Sequence, residues 1–262
     1  GELIFGTGDV ILVEPLTLNG ELALAGGTFK VNESSTVSGM VSIAGNSSID
    51  VLGGKSVIFS YGEINTQNYE LTLNNSGTVS FPQNSSGIVL NNADGLLKLQ
   101  GTGTIQEVQV TTASNAGKGI EVNASGTVSS LMISADTELY IANGKKLSGS
   151  AEIAENKTLK LTGTGNFGST IDLKGTLEAG ANLTVSGAIS VAGNAAAVSI
   201  PAAGTTLLKT GGALNVGAHT LSIGGAGTFQ FHYWSGLVLD DADSILNLTG
   251  SVTVSGPVKL EN

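Results

Sequence analysis

Along almost the whole chain apolar and polar residues alternate at period two, in runs such as Leu16-Thr17-Leu18 and Thr158-Leu159-Lys160-Leu161. This is the pattern of a strand with one buried face. Turn signals break the runs at short intervals: Asn19-Gly20, Gly26-Gly27, Gly53-Gly54, Asn91-Asn92, Asn143-Gly144, Gly211-Gly212 and Gly224-Gly225. Apolar residues nowhere recur at helical spacing over a useful length, and stretches such as Asn194-Ala195-Ala196-Ala197 are too short to nucleate a helix. The chain is therefore expected to be all-β. The turns cut it into units of roughly 20 residues with two or three short strands each, the size of one rung of a parallel β-helix, or β-solenoid. About 12 rungs are expected, stacked at ~4.8 Å into a single continuous rod over 1–262.

Composition agrees with a core spread thinly along an axis. Gly numbers 38, aromatic residues are 5% and charged residues 12%, yet 40% of the chain is hydrophobic, too much for disorder. Inward Val, Ile, Leu and Ala can be shielded only by the rungs above and below, so stability accrues from neighbour contacts.

A longer period lies over the short one. Thr36-Val37-Ser38-Gly39-Met40-Val41-Ser42-Ile43-Ala44-Gly45-Asn46 returns 148 residues on as Thr184-Val185-Ser186-Gly187-Ala188-Ile189-Ser190-Val191-Ala192-Gly193-Asn194. Gly77-Thr78 and Phe81 return 150 residues on as Gly227-Thr228 and Phe231, and Leu90–Leu99 returns 149 on as Leu239–Leu248. Collinear blocks at a near-constant offset indicate a tandem duplication, 1–112 and 149–262, with 113–148 present once. The offset corresponds to about seven rungs, which keeps the rung register.

Charge and composition narrow the partners. The net charge is -10 and no Arg occurs, so the chain lacks the basic surface and bidentate donors used on nucleic acid. No apolar run reaches the ~18 residues of a membrane-spanning helix, and no membrane insertion is expected. There is no Cys, hence no disulfide and no thiolate chemistry. The chain starts at Gly1, which suggests a processed or excerpted segment. It opens on the strand-like Leu3-Ile4-Phe5 and closes on Val258 and Leu260. With no capping helix expected at either end, either more rungs continue beyond an excised fragment, or these five residues are assembly edges that stack subunits end to end by strand addition; both alternatives make a fibre.

Sites for chemistry are few. His219 and His232 fall on different rungs, without the spacing of a metal site. Asp240, Asp241 and Asp243 form the one acidic cluster, a weak calcium candidate that more simply makes a solvated turn; the matching residues of the first copy are Asn91, Asn92 and Asp94. No catalytic residue, cofactor or firm metal site is expected. Phe229-Gln230-Phe231-His232-Tyr233-Trp234 concentrates aromatic residues. Strand alternation puts Phe229, Phe231 and Tyr233 toward the core, and His232 and Trp234 outward as a contact for a sugar or a neighbouring subunit. Potential N-glycosylation sequons occur at Asn32, Asn46, Asn74, Asn84, Asn123, Asn156, Asn182 and Asn247.

Alternating Val/Ile/Leu strands with Gly-Thr, Asn-Gly and Ser-Gly corners resemble the β-helical passengers of bacterial autotransporters and other large secreted adhesins. The resemblance implies an extracellular, elongated and mostly non-catalytic stem at the cell surface. Three functions are thus expected in order: a structural fibre, sheath or stalk segment that associates with itself; a glycan-binding adhesin module; and a polysaccharide lyase or hydrolase. The last is suggested by the likeness to right-handed β-helical enzymes, whose proton-abstracting base is commonly Arg or Lys. The Gly-Gly-x-Gly-x-Asp repeat of calcium β-rolls is absent, since Gly224-Gly225-Ala226-Gly227 continues as Thr228-Phe229.

Overall fold

The computed structural model describes residues 8–82 and 85–261 in full and the backbone of residues 3–5. The described residues contain strands and turns and no helix. The fold is a parallel β-solenoid of about eleven turns, close to the dozen rungs expected. Two compact units divide the chain, Gly1–Leu131 and Met132–Asn262.

A turn of the coil carries three strands on three faces. Leu22–Ala25, Thr28–Val31 and Ser35–Val37 make one turn, and Val41–Gly45, Ser47–Val51 and Ser56–Phe59 the next. Each strand pairs in parallel with its counterpart one turn away, as in Leu22 opposite Val41, Phe29 opposite Ile49 and Val37 opposite Phe59. Thr104–Val110 is longer because it runs through a corner, pairing with Thr78 and Val79 at its start and with Ile88–Leu90 at its end. Turn length is uneven: Leu159 to its partner Leu177 is 18 residues, and Leu71 to Leu97 is 26.

The period-two alternation becomes columns of stacked side chains. In the first unit Phe29, Ile49, Leu73, Leu99 and Val122 succeed one another in register on the second face, all buried. Leu159, Leu177, Val198 and Ile223 do the same in the second unit. Each such burial contributes roughly 1.5–3 kcal/mol of hydrophobic free energy. A side chain is covered only when rungs lie on both sides of it.

Outward positions on the same strands carry ladders of opposite charge. Lys30 reaches Asp9 at 2.6 Å, and Lys98 reaches Glu70 at 2.8 Å and Glu121 at 4.0 Å. The hydrogen bond that the Lys98 ammonium donates to Glu70 holds it above its ordinary pKa, as the bond donated to Asp9 does for Lys30. Opposite signs face one another at Lys30 and Asp50, Lys98 and Glu121, and Lys160 and Glu178; where Glu152 and Asp172 fall opposite, Lys174 pairs with Glu152 at 2.5 Å.

Residues matched between the two halves of the sequence occupy matched places in the coil. Gly39 and Gly187 both sit where a Cβ would overlap the backbone carbonyl of the preceding turn, of Gly20 and Ser169 respectively, so only glycine fits. Asn46 Oδ1 accepts the Glu70 N–H at 2.9 Å, and Asn194 Oδ1 the Thr220 N–H at 3.3 Å. These side chains satisfy donors at the start of a strand one turn further on, where no strand partner is available.

Candidate functional site

Four features at the corner between the third and first faces stand apart from the regular coil: a groove and a stacked Phe pair in the first unit, an aromatic turn and a buried lysine in the second.

In the first unit that corner bounds a groove of about 680 Å³. Its floor is the outward side of Val41–Gly45 and Ile64–Asn65, where Ser42 and Asn65 are opposite one another in register. Only two residues of the second strand pair before the chain turns, so the longer strand beside it is left uncovered and a recess results. The walls come from Met40, Tyr61-Gly62-Glu63, Gln67 and Ser85-Ser86. Tyr61 presents its ring at 68% exposure. Asn65 Nδ2 donates to Glu63 Oε1 at 2.9 Å, and Ser42 Oγ to Glu21 Oε1 at 3.2 Å. Ser85 Oγ donates to the Gly62 carbonyl at 2.9 Å and so ties the two walls together. Among the described residues no lysine lines the groove.

Gln67 is one of two non-glycine residues with positive φ among those described, at 53°. The other, Asn156 at 59°, is of the type that tolerates this region. Gln67 donates its N–H to Asn91 Oδ1 at 3.1 Å. At the matched position Gly217 has φ 58° and donates to Asp240 Oδ1 at 2.8 Å. The backbone geometry is the same, but in the second unit glycine meets it without strain.

Asp240 is thereby accounted for as the counterpart of Asn91, an acceptor for a main-chain N–H. Asp241 Oδ1 accepts the Asp243 N–H at 2.9 Å, as Asn92 Oδ1 accepts that of Asp94 at 3.0 Å. An amide does the same work in the first unit, so the turn does not require carboxylates. Among the described residues no three His, Asp or Glu side chains converge to hold a metal ion.

In the second unit the corner is the aromatic turn. Phe229 and Phe231 are buried, with ring centroids 4.5 Å apart. Tyr233 departs from the expected alternation and is 69% exposed. The reason is that the strand ends at Phe231 and the chain turns, Ser235 N donating to the His232 carbonyl at 2.8 Å. His232 and Tyr233 have centroids 4.1 Å apart, Tyr233 and Trp234 4.6 Å, and Trp234 is 76% exposed. His219 lies elsewhere, its Nδ1 3.3 Å from Asn194 Oδ1.

Behind this turn Lys209 is fully buried, in register between Val185 and Phe231. Its matched residue is Phe59, whose ring stacks on Phe81 at 5.8 Å. The Lys209 ammonium donates to the carbonyls of Gly211 and Gly212, and burial pushes its pKa down to about 8.

Five sequon asparagines, Asn32, Asn46, Asn156, Asn182 and Asn247, are exposed. Asn74 and Asn123 are half-buried, with Nδ2 donated to Asp50 and Glu121. Asn84 lies outside the described residues. Of the assembly edges, Leu3–Phe5 forms a strand paired with Leu22–Leu24, and its side chains lie outside the described residues. Val258 and Leu260 are exposed strand residues in register with Leu237 and Leu239.

The sequence reading located the aromatic turn but missed the groove and Lys209. The groove joins residues of three successive turns. For Lys209, spacing of two from the buried Leu207 was an available signal. No protein-family model, curated protein or solved structure matches the chain.

Proposed function

We propose that the protein is a non-enzymatic structural segment of an extracellular cell-surface fibre, sheath or adhesin stalk, extended by stacking of parallel rungs. One observation carries this reading: each rung pairs in parallel with the next and covers its apolar residues, Leu246, Leu248 and Val258 lying in register over the buried Leu221, Ile223 and Leu237, so the coil extends by repeating one kind of contact. A parallel rung from another copy adds by the same contact. The alternating charge ladders and exposed sequons support a solvated, secreted lateral surface.

Electron microscopy and sedimentation velocity across a concentration series test the reading. Wild type is expected to form filaments or end-to-end oligomers, and Leu248→Lys with Leu260→Lys to remain monomeric with an unchanged circular dichroism spectrum. Monomers of wild type at every concentration refute self-stacking.

A further inference from the structure

The two halves of the sequence provide an internal control for the groove. Its floor is kept between them, Ser42 and Asn65 matching Ser190 and Asn215. Its walls are not. Met40, Tyr61, Glu63 and Gln67 are matched by Ala188, Gly211, Ala213 and Gly217. Ile64 and Leu214 between them are both fully buried, so the alignment is in register. The second unit thus builds the same corner with four wall side chains cut back to glycine or alanine, and folding does not require them. One of them, Gln67, is held in a backbone conformation that costs a non-glycine residue free energy, which persists when the side chain serves something else.

We infer that the groove formed by Met40, Ser42, Tyr61, Glu63, Asn65 and Gln67 is a binding site for a neutral saccharide chain. An exposed Tyr ring offers an apolar face to the C–H face of a pyranose while its hydroxyl remains wet. A carboxylate and two carboxamides supply acceptors and donors side by side, the pairing that vicinal hydroxyls require. The Glu63–Asn65 hydrogen bond holds two of these groups in place before a ligand arrives. The charge selects against acidic sugars: Glu63 lines the groove, Glu21 is bonded to its floor, and among the described residues that line it there is no cation. The recess follows the stacking direction over three turns, which suits an extended chain better than a single ring. This site is separate from the rung edge invoked for assembly and goes beyond that reading.

The test is an array of neutral and uronic-acid oligosaccharides probed with the whole protein, followed by calorimetric titration of neutral hits. Wild type is expected to bind neutral members and not acidic ones. Tyr61→Ala weakens binding about tenfold, the scale of one aromatic contact. The fourfold variant M40A/Y61G/E63A/Q67G, which copies the second unit, abolishes it while keeping the melting temperature of wild type. Gln67→Gly alone weakens binding and leaves the melting temperature unchanged or higher. Trp234→Ala binds as wild type does. Silence of wild type toward neutral glycans, a preference for uronic acids, or undiminished binding by the fourfold variant overturns the proposal. So does loss of binding in Trp234→Ala, which moves the site to the aromatic turn.

Discussion

Lys209 allows a quantitative check of the core. Replacing it with Met removes the ammonium and keeps an unbranched chain of similar volume against Val185 and Phe231. Burial lowers the lysine pKa from 10.5 to about 8. At about 1.4 kcal/mol per pKa unit, the charged form is disfavoured in the fold by about 3 kcal/mol. Below pH 8 both folded and unfolded chains hold the proton and the whole penalty is present. Between pH 8 and 10.5 the unfolded chain binds more protons than the folded one, so stability rises with pH. About half the penalty is relieved near pH 9.3, and all of it above 10.5. In Lys209→Met this rise is missing. Urea unfolding followed by circular dichroism, on both proteins from pH 7 to 10.5, gives the stability difference. Losing the hydrogen bonds to Gly211 and Gly212 shifts that difference by a constant, whereas the Met variant's advantage must shrink by about 3 kcal/mol across the series. Parallel pH profiles for the two proteins would falsify the assignment of a buried, destabilised ammonium.

Further outcomes follow from the same geometry. Asp240→Asn, which installs the residue of the first unit, leaves thermal stability unchanged and insensitive to Ca²⁺, while Asp240→Ala costs about 1 kcal/mol through the orphaned Gly217 N–H; calorimetric melts with and without calcium check both. Burial pushes the Glu107 carboxyl up, so its ionised form is penalised at neutral pH. Glu107→Gln is therefore more thermostable than wild type at pH 7, an advantage that fades as pH falls through the carboxylate range. Lys98→Met breaks the partly exposed ladder to Glu70 and Glu121 and costs less than about 1 kcal/mol, an effect that added salt diminishes in urea titrations. Phe59→Ala removes a fully buried ring stacked on Phe81 and costs about 3–5 kcal/mol by the same measurement.

The strand class and the approximate length of a turn were legible in the sequence because they depend on neighbours in the chain, while the number of strands in a turn was open between two and three. Alternation at period two states which side chains share a face, and Gly or Asn marks where the chain can bend. The matched blocks were legible too, and they place Gly39 with Gly187 and Asn46 with Asn194. Position along the stack was not legible. It is a sum of turn lengths that vary from 18 residues between Leu159 and Leu177 to 26 between Leu71 and Leu97. Without that sum, Met40, Tyr61 and Ser85 are three unrelated loop residues; with it they face one recess. The strand end at Phe231 likewise decides that Tyr233 leaves the core, which alternation cannot foresee. Lys209 shows the same limit in energetic form. Its inward parity was visible, but whether a lysine there is solvated depends on the rungs that stack over it. Period and corner chemistry are local and were determined by the sequence alone. Burial and groove formation belong to the stacking direction, and only the tertiary structure decided them.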